Sequence, residues 1–196
     1  MRTLFILIIV TVCISCGHTN KPTEHVNTTV QKKDTCRDNF VADIKVNDIE
    51  LSNNNTSLSN YKDLNKLVTE DNQGLPYVSF LNKKETEKLT FYFFYGSGYD
   101  EFYQFKIEPY TGNELNNRLE YNSFITESGI KLGITKTELL KIKGNNYSEN
   151  DNTVKYVLSD YNNSCFLQKY NLPLYFSEYT FKDDKLIKIY FGFEYP

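Results

Sequence analysis

Through the last third of the chain, apolar side chains return at alternate positions, and turn-forming residues close each run. A period of two sends alternate side chains to opposite faces, so short runs joined by tight turns demand an antiparallel sheet. Val154, Tyr156 and Leu158 alternate with Lys155, Val157 and Ser159. Asn162-Asn163 then turns the chain into a second run, Cys165-Phe166-Leu167. Pro173 opens a run from Leu174 to Phe181, Lys182-Asp183-Asp184-Lys185 turns it, and Leu186 to Phe193 returns.

A helix precedes this meander. Thr135 stands three before Glu138, the spacing of a capping box, in which hydroxyl and carboxylate each take an orphan N–H. Ile134 and Leu139 have the spacing of a hydrophobic staple. Leu139, Leu140 and Ile142 supply an apolar face, and Gly144 suits the left-handed residue past the last turn. The pattern predicts a helix from Lys136 to Lys143.

Upstream, the order repeats more loosely. Asp48-Ile49-Glu50-Leu51 precedes an Asn-rich loop, and a helical stretch begins at Asn60-Tyr61-Lys62-Asp63-Leu64 and runs through Leu67. Gly74 and Pro76 end it. Tyr77 to Leu81, Leu89 to Tyr95 and Tyr103 to Ile107 read as strands, with Gly96-Ser97-Gly98 turning the last pair. The fold class is α+β, short helices packed on antiparallel sheet. Two tandem helix-plus-meander units, 40–118 and 119–196, or one irregular domain without a repeat, both fit.

The stretch Gly129 to Leu139 with Gly144, followed by the hairpin Tyr179 to Ile189, resembles a small-lipoprotein pattern. It is similar to the beta-lactamase-inhibitor-protein-like fold, shared with a small lipoprotein of the outer-membrane protein assembly machine. The resemblance covers about the last 70 residues and more faintly the 70 before them. It implies short helices against an antiparallel sheet, with a concave sheet face for partners.

The N-terminus carries an address. Met1-Arg2 is followed by an apolar run from Leu4 to Ile14. A membrane-spanning helix takes roughly 20 residues, so the run matches the core of an export signal instead. Cys13-Ile14-Ser15-Cys16-Gly17 resembles the lipobox of bacterial lipoproteins, with Cys13 where Leu is usual. The reading is a signal peptide at 1–15, and at 16–39 a lipidated Cys16 followed by a polar tether. Such a tether reaches about 25 Å as flexible coil. An ordinary cleaved signal with an incidental Cys16 is the alternative. No acidic run follows Cys16, which favours the periplasmic side of the outer membrane.

Removing Cys13 and lipidating Cys16 leaves Cys36 and Cys165, an even count in an oxidising compartment. A bridge between them closes a long loop, worth about 4–5 kcal/mol on a chain-entropy argument. Two free buried thiols remain the alternative.

Catalytic chemistry is hard to assemble here. The two His, His18 and His25, both lie in the tether, so no Ser-His or Cys-His triad fits the folded part. Gly96-Ser97-Gly98 lacks the G-x-S-x-G order of a nucleophile elbow. No phosphate loop or dinucleotide fingerprint occurs, so no cofactor is expected. Zinc spacing is missing, and Glu149-Asn150-Asp151-Asn152 lacks the order of a calcium loop. Asp100-Glu101, adjacent on a strand, would point to opposite faces. The expectation is a non-enzyme without a metal.

What remains is surface. The chain has 16 Tyr and 14 Phe, no Trp, and a formal charge of −3. Abundant rings argue against disorder, and a slightly acidic chain argues against a nucleic-acid partner. A turn at Asp183-Asp184 sets Lys182 opposite Lys185 and Thr180 with Ile187. One face then carries Leu174, Phe176, Ile187, Ile189, Phe191 and Phe193 as core. The other carries Tyr175, Ser177, Tyr179, Phe181, Leu186, Lys188 and Tyr190, a Tyr-rich composition enriched at interfaces. A three-residue loop would put Tyr179 on the side of Ile189 instead.

Tyr175, Tyr179, Tyr190 and Lys188, extended by Tyr92, are therefore the candidate partner-binding residues. The function expected is that of a lipid-anchored, non-catalytic module that binds an envelope protein. An inhibitor or immunity protein against a toxin or hydrolase, or a small-ligand or glycan binder, are the alternatives.

Overall fold

A computed structural model describes residues 36–51, 64–94, 102–112 and 114–194. The apolar run, Cys16 and the Gly96-Ser97-Gly98 turn lie outside these residues. All the described residues fall within one compact unit, 34–196.

The chain first makes a small hairpin, β1 (Lys45–Val46) and β2 (Ile49–Glu50). A 3-10 turn at Leu64–Lys66 is all that the described residues show of the upstream helix, whose first positions lie outside them. Then come β3 (Thr69–Glu70), β4 (Pro76–Leu81), β5 (Glu87–Tyr92) and β6 (Gln104–Pro109). Helix α1 (Lys136–Lys143) leads to β7 (Ser148–Asn150) and β8 (Thr153–Leu158). Helix α2 (Cys165–Tyr170), β9 (Leu174–Lys182) and β10 (Lys185–Glu194) complete the order. The sheet has eight strands ordered β3-β4-β5-β6-β10-β9-β8-β7, so two four-strand meanders join where β6 meets β10, antiparallel. The molecule is α+β and mostly sheet.

Helix α1 forms where the sequence predicts it. Thr135 and Glu138 make both halves of the capping box, and Gly144 follows at φ 82°. Its buried face differs from expectation: Leu139 and Lys143 are inside, while Ile142 is exposed. Helix α2 corrects the run read as Cys165-Phe166-Leu167. Ser164 caps it by accepting the Leu167 N–H, and Asn171 ends it in the left-handed conformation.

One side of the sheet is the core. A row of Phe80, Leu89, Ile107, Ile189, Tyr179 and Val154 crosses six strands, and Val78, Phe91, Phe105, Phe191, Ser177 and Tyr156 form the next. Phe40, Ile44, Val46, Phe124, Ile130, Leu139 and Leu167 join the same buried cluster, so both helices and the leading segment cover this side. Phe166 sits 5.0 Å from Tyr175 and 5.7 Å from Phe193, ring centre to ring centre, which seats α2.

The last hairpin turns at Asp183-Asp184, both residues at positive φ, with Lys182 opposite Lys185 and Leu186 opposite Phe181. A bulge then intervenes at Ile187: Lys188 pairs with Thr180, and Ile189 with Tyr179. The extra residue swaps the faces for the rest of β10. Tyr175 and Tyr179 consequently point into the core, each fully buried, which corrects their assignment to an outward face. Leu174 and Phe176, expected as core, stand on the opposite side, and Ile187 is taken up by the bulge.

Candidate functional site

The sheet side away from both helices carries two ordered rows. Tyr77, Tyr92, Gln104, Gly192, Phe176 and Val157 form one; Ser79, Thr90, Lys106, Tyr190, Glu178 and Lys155 form the other. Gly192 lacks a side chain, and the Tyr190 ring, from the neighbouring row, bridges the gap between Tyr92 and Phe176. The result is a nearly continuous aromatic stripe. Tyr77 lies 5.9 Å from Tyr92, Tyr92 lies 6.0 Å from Tyr190, and Tyr190 lies 4.9 Å from Phe176.

Gly192 is there by necessity. It sits at φ +153°, and a Cβ would come within 2.1 Å of the Tyr103 carbonyl oxygen. The Tyr190 hydroxyl donates to Gln104 Oε1, and Gln104 Nε2 donates to the Phe193 carbonyl at 3.1 Å. These bonds fix the ring before any partner arrives.

Cations flank the stripe. Lys106 Nζ stands 5.6 Å over the Tyr92 ring and Lys155 Nζ 5.6 Å over Phe176, contacts that favour a positive charge on the ring face. Lys88 and Lys106 share Glu108, at 2.7 and 3.7 Å, and Lys155 pairs with Glu178 at 2.8 Å. Lys188 stands on the same side, beside Thr180. Burial pulls the Lys106 ammonium down, but Tyr92 and Glu108 outweigh it and leave its pKa raised. Burial, then Tyr92 and the carboxylates of Glu178, Glu194 and Asp71, push the Tyr190 phenol up. Lys106 stays a cation and Tyr190 a neutral hydroxyl at physiological pH.

Two hollows open onto this side. One, about 600 Å³, is lined by Tyr77, Ser79, Lys88, Tyr110 and Leu115 among others. A smaller one of about 290 Å³ is lined by Tyr92, Phe94, Tyr103, Gln104, Tyr190 and Glu194.

Of the five residues expected on one face, Tyr92, Tyr190 and Lys188 share this side, and Tyr175 and Tyr179 stand on the other. Sequence reasoning missed Tyr77, Phe176, Lys106 and Lys155. Each lies on a different strand, so only the cross-strand register, not spacing along the chain, brings them beside Tyr92 and Tyr190. Cys36 and Cys165 come together with Cα atoms 5.1 Å apart and their sulfurs in bonding contact, across 129 positions. No helix among the described residues is long and apolar enough to cross a membrane.

Comparison of the chain with protein-family models, curated proteins and solved structures returns no match.

A second polar cluster lies inside the protein. Lys143 Nζ is 2.5 Å from Asp43 Oδ2, and neither side chain touches solvent. Lys143 Nζ also donates to the Val41 carbonyl at 2.5 Å. Asp43 Oδ1 accepts the Ser128 N–H at 2.8 Å, and the Tyr175 hydroxyl donates to the Asp43 carbonyl at 2.6 Å. The sequence signal is a lysine four positions after Leu139, on the stripe that should be apolar.

Proposed function

We propose that this chain is a lipid-anchored, non-catalytic protein-binding module of the bacterial cell envelope, with the open sheet side as its working surface. The observation that carries the reading is the stripe Tyr77–Tyr92–Tyr190–Phe176 on the side away from α1 and α2, its Tyr rings partly exposed, Phe176 buried at its end, and lysines beside it. Tyr rings supply large contact area at low entropic cost, and a few of them can dominate an interface. The strand order supports reading the chain as two tandem units, each contributing one meander. The anchor is Cys16, by the lipobox resemblance, and the polar tether that follows it gives the module reach only up to Cys36. There the bond to Cys165 and the hydrogen bonds of Arg37 and Asp38 join the chain to the folded unit, short of the residue 39 expected from the sequence.

A photo-crosslinking residue placed at position 92 or 190, in cells, tests the surface. Adducts with an envelope protein from these positions, and none from position 141 on the exposed side of α1, are expected. Equal adducts from position 141, or none from 92 and 190, would refute the choice of face.

A further inference from the structure

The most confined chemistry in the molecule is the pair Lys143 and Asp43. An exposed ion pair keeps its hydration, whereas two ions shut away from water lose it and have only each other in exchange. Burial lowers the Lys143 pKa even with Asp43 beside it. Passing one proton from ammonium to carboxylate leaves a neutral amine against a carboxylic acid, the two reactants of an amide condensation. Desolvation is a known route to a nucleophilic lysine.

The surroundings suit that reaction. Nζ lies 2.5 Å from Asp43 Oδ2, and the Val41 carbonyl holds one of its N–H groups. Such confinement replaces the encounter of two free reactants. The Ser128 N–H points at Oδ1, where negative charge would develop as Cγ becomes tetrahedral. The Tyr179 hydroxyl is fully buried beside Ser177 on the same core side. Glu127, the other nearby carboxylate, is occupied by the Ile44 N–H at 2.7 Å.

We infer that Lys143 and Asp43 condense into an intramolecular isopeptide bond that ties the segment around Asp43 to helix α1. The Nζ lone pair forms a bond to Cγ, and charge moves onto Oδ1 at the Ser128 N–H. One proton then passes from nitrogen to the Oδ2 hydroxyl, the Cγ–Oδ2 bond breaks, and one water leaves. Nothing is oxidised or reduced, and no cofactor is needed. The dry site keeps solvent from reversing the step.

Peptide mapping of the full chain purified from envelopes, with disulfides reduced, decides the matter. An isopeptide blocks trypsin at Lys143. The expected product is a branched species joining Asp38–Lys45 to Ile142–Lys155, lighter than the sum of the two by one water. Lys143→Arg and Asp43→Ala should each abolish it. Recovery of linear Asp38–Lys45 and of Gly144–Lys155 in full yield from the unaltered protein overturns the inference. That result stands whether or not either variant folds.

Discussion

Gly192 and Tyr103 approach so closely that no other residue fits at position 192: an added Cβ would lie 2.1 Å from the Tyr103 carbonyl oxygen and 2.6 Å from Gln104 Cα. Both obstacles are backbone, so neither can swing away. The contact lies where the two meanders meet. Gly192→Ala should cost about 3 kcal/mol of stability, from overpacking together with a disfavoured φ. Urea unfolding of the variant measures this, and a loss below about 1 kcal/mol would contradict the close approach.

Tyr179 and Tyr190 should separate stability from binding. Tyr179 is fully buried, so Tyr179→Ala should cost about 3–5 kcal/mol, the range for deleting a buried aromatic. Tyr190 lies half-buried on the open side, so Tyr190→Ala should mainly cost partner affinity, about 2 kcal/mol. Thermal melts and crosslinking yield on both variants check the contrast. The reverse pattern would refute the bulge at Ile187.

How much of this is legible beforehand depends on how local each signal is. Helix α1 can be read because Thr135, Glu138 and Gly144 settle its ends within one short stretch. The Asp183-Asp184 turn can be read for the same reason. The bulge cannot, because Ile187 and Lys188 are acceptable on either face. What decides between them is the long row Leu89–Ile107–Ile189–Tyr179, assembled from distant parts of the chain. Helix α2 escapes notice because six residues show too little period, although Ser164 and Asn171 mark its ends. The open side is half legible: Tyr92, Tyr190 and Lys188 belong to it, but assigning Tyr175 and Tyr179 there needs an unbroken register.

The Cys36–Cys165 contact predicts a thiol count. Denatured, unreduced protein from the envelope should show neither Cys36 nor Cys165 free. Reduction should remove about 4–5 kcal/mol by the loop-entropy argument. Two reactive thiols in fresh material would rule the bridge out.

Acid should weaken the start of α1. The Thr135 N–H at 2.7 Å, and then its hydroxyl, hold Glu138 below the ordinary carboxylate value of 4.5. A carboxyl depressed in the folded state gives stability that is present above its unfolded value and lost as pH falls through the folded one. Burial raises Glu87 instead, with the opposite sign, so the test must be differential. Melting temperatures of the unaltered chain and Glu138→Gln should differ at neutral pH and converge well below pH 4.5. A gap that ignores pH would contradict the cap's charge.

Cys16→Ser should release the protein from the membrane fraction. A variant that still pellets with membranes at full-length mass would end the lipoprotein reading.

The strand latest in the chain, β10, sits in the middle of the sheet, between β6 and β9. A chain made from its N-terminus therefore cannot finish this sheet early. Until β10 emerges, β6 offers an unpaired edge, with Phe105 and Ile107 lacking their neighbours. Late closure makes any truncation before β10 a source of two sticky half-sheets rather than a smaller folded protein.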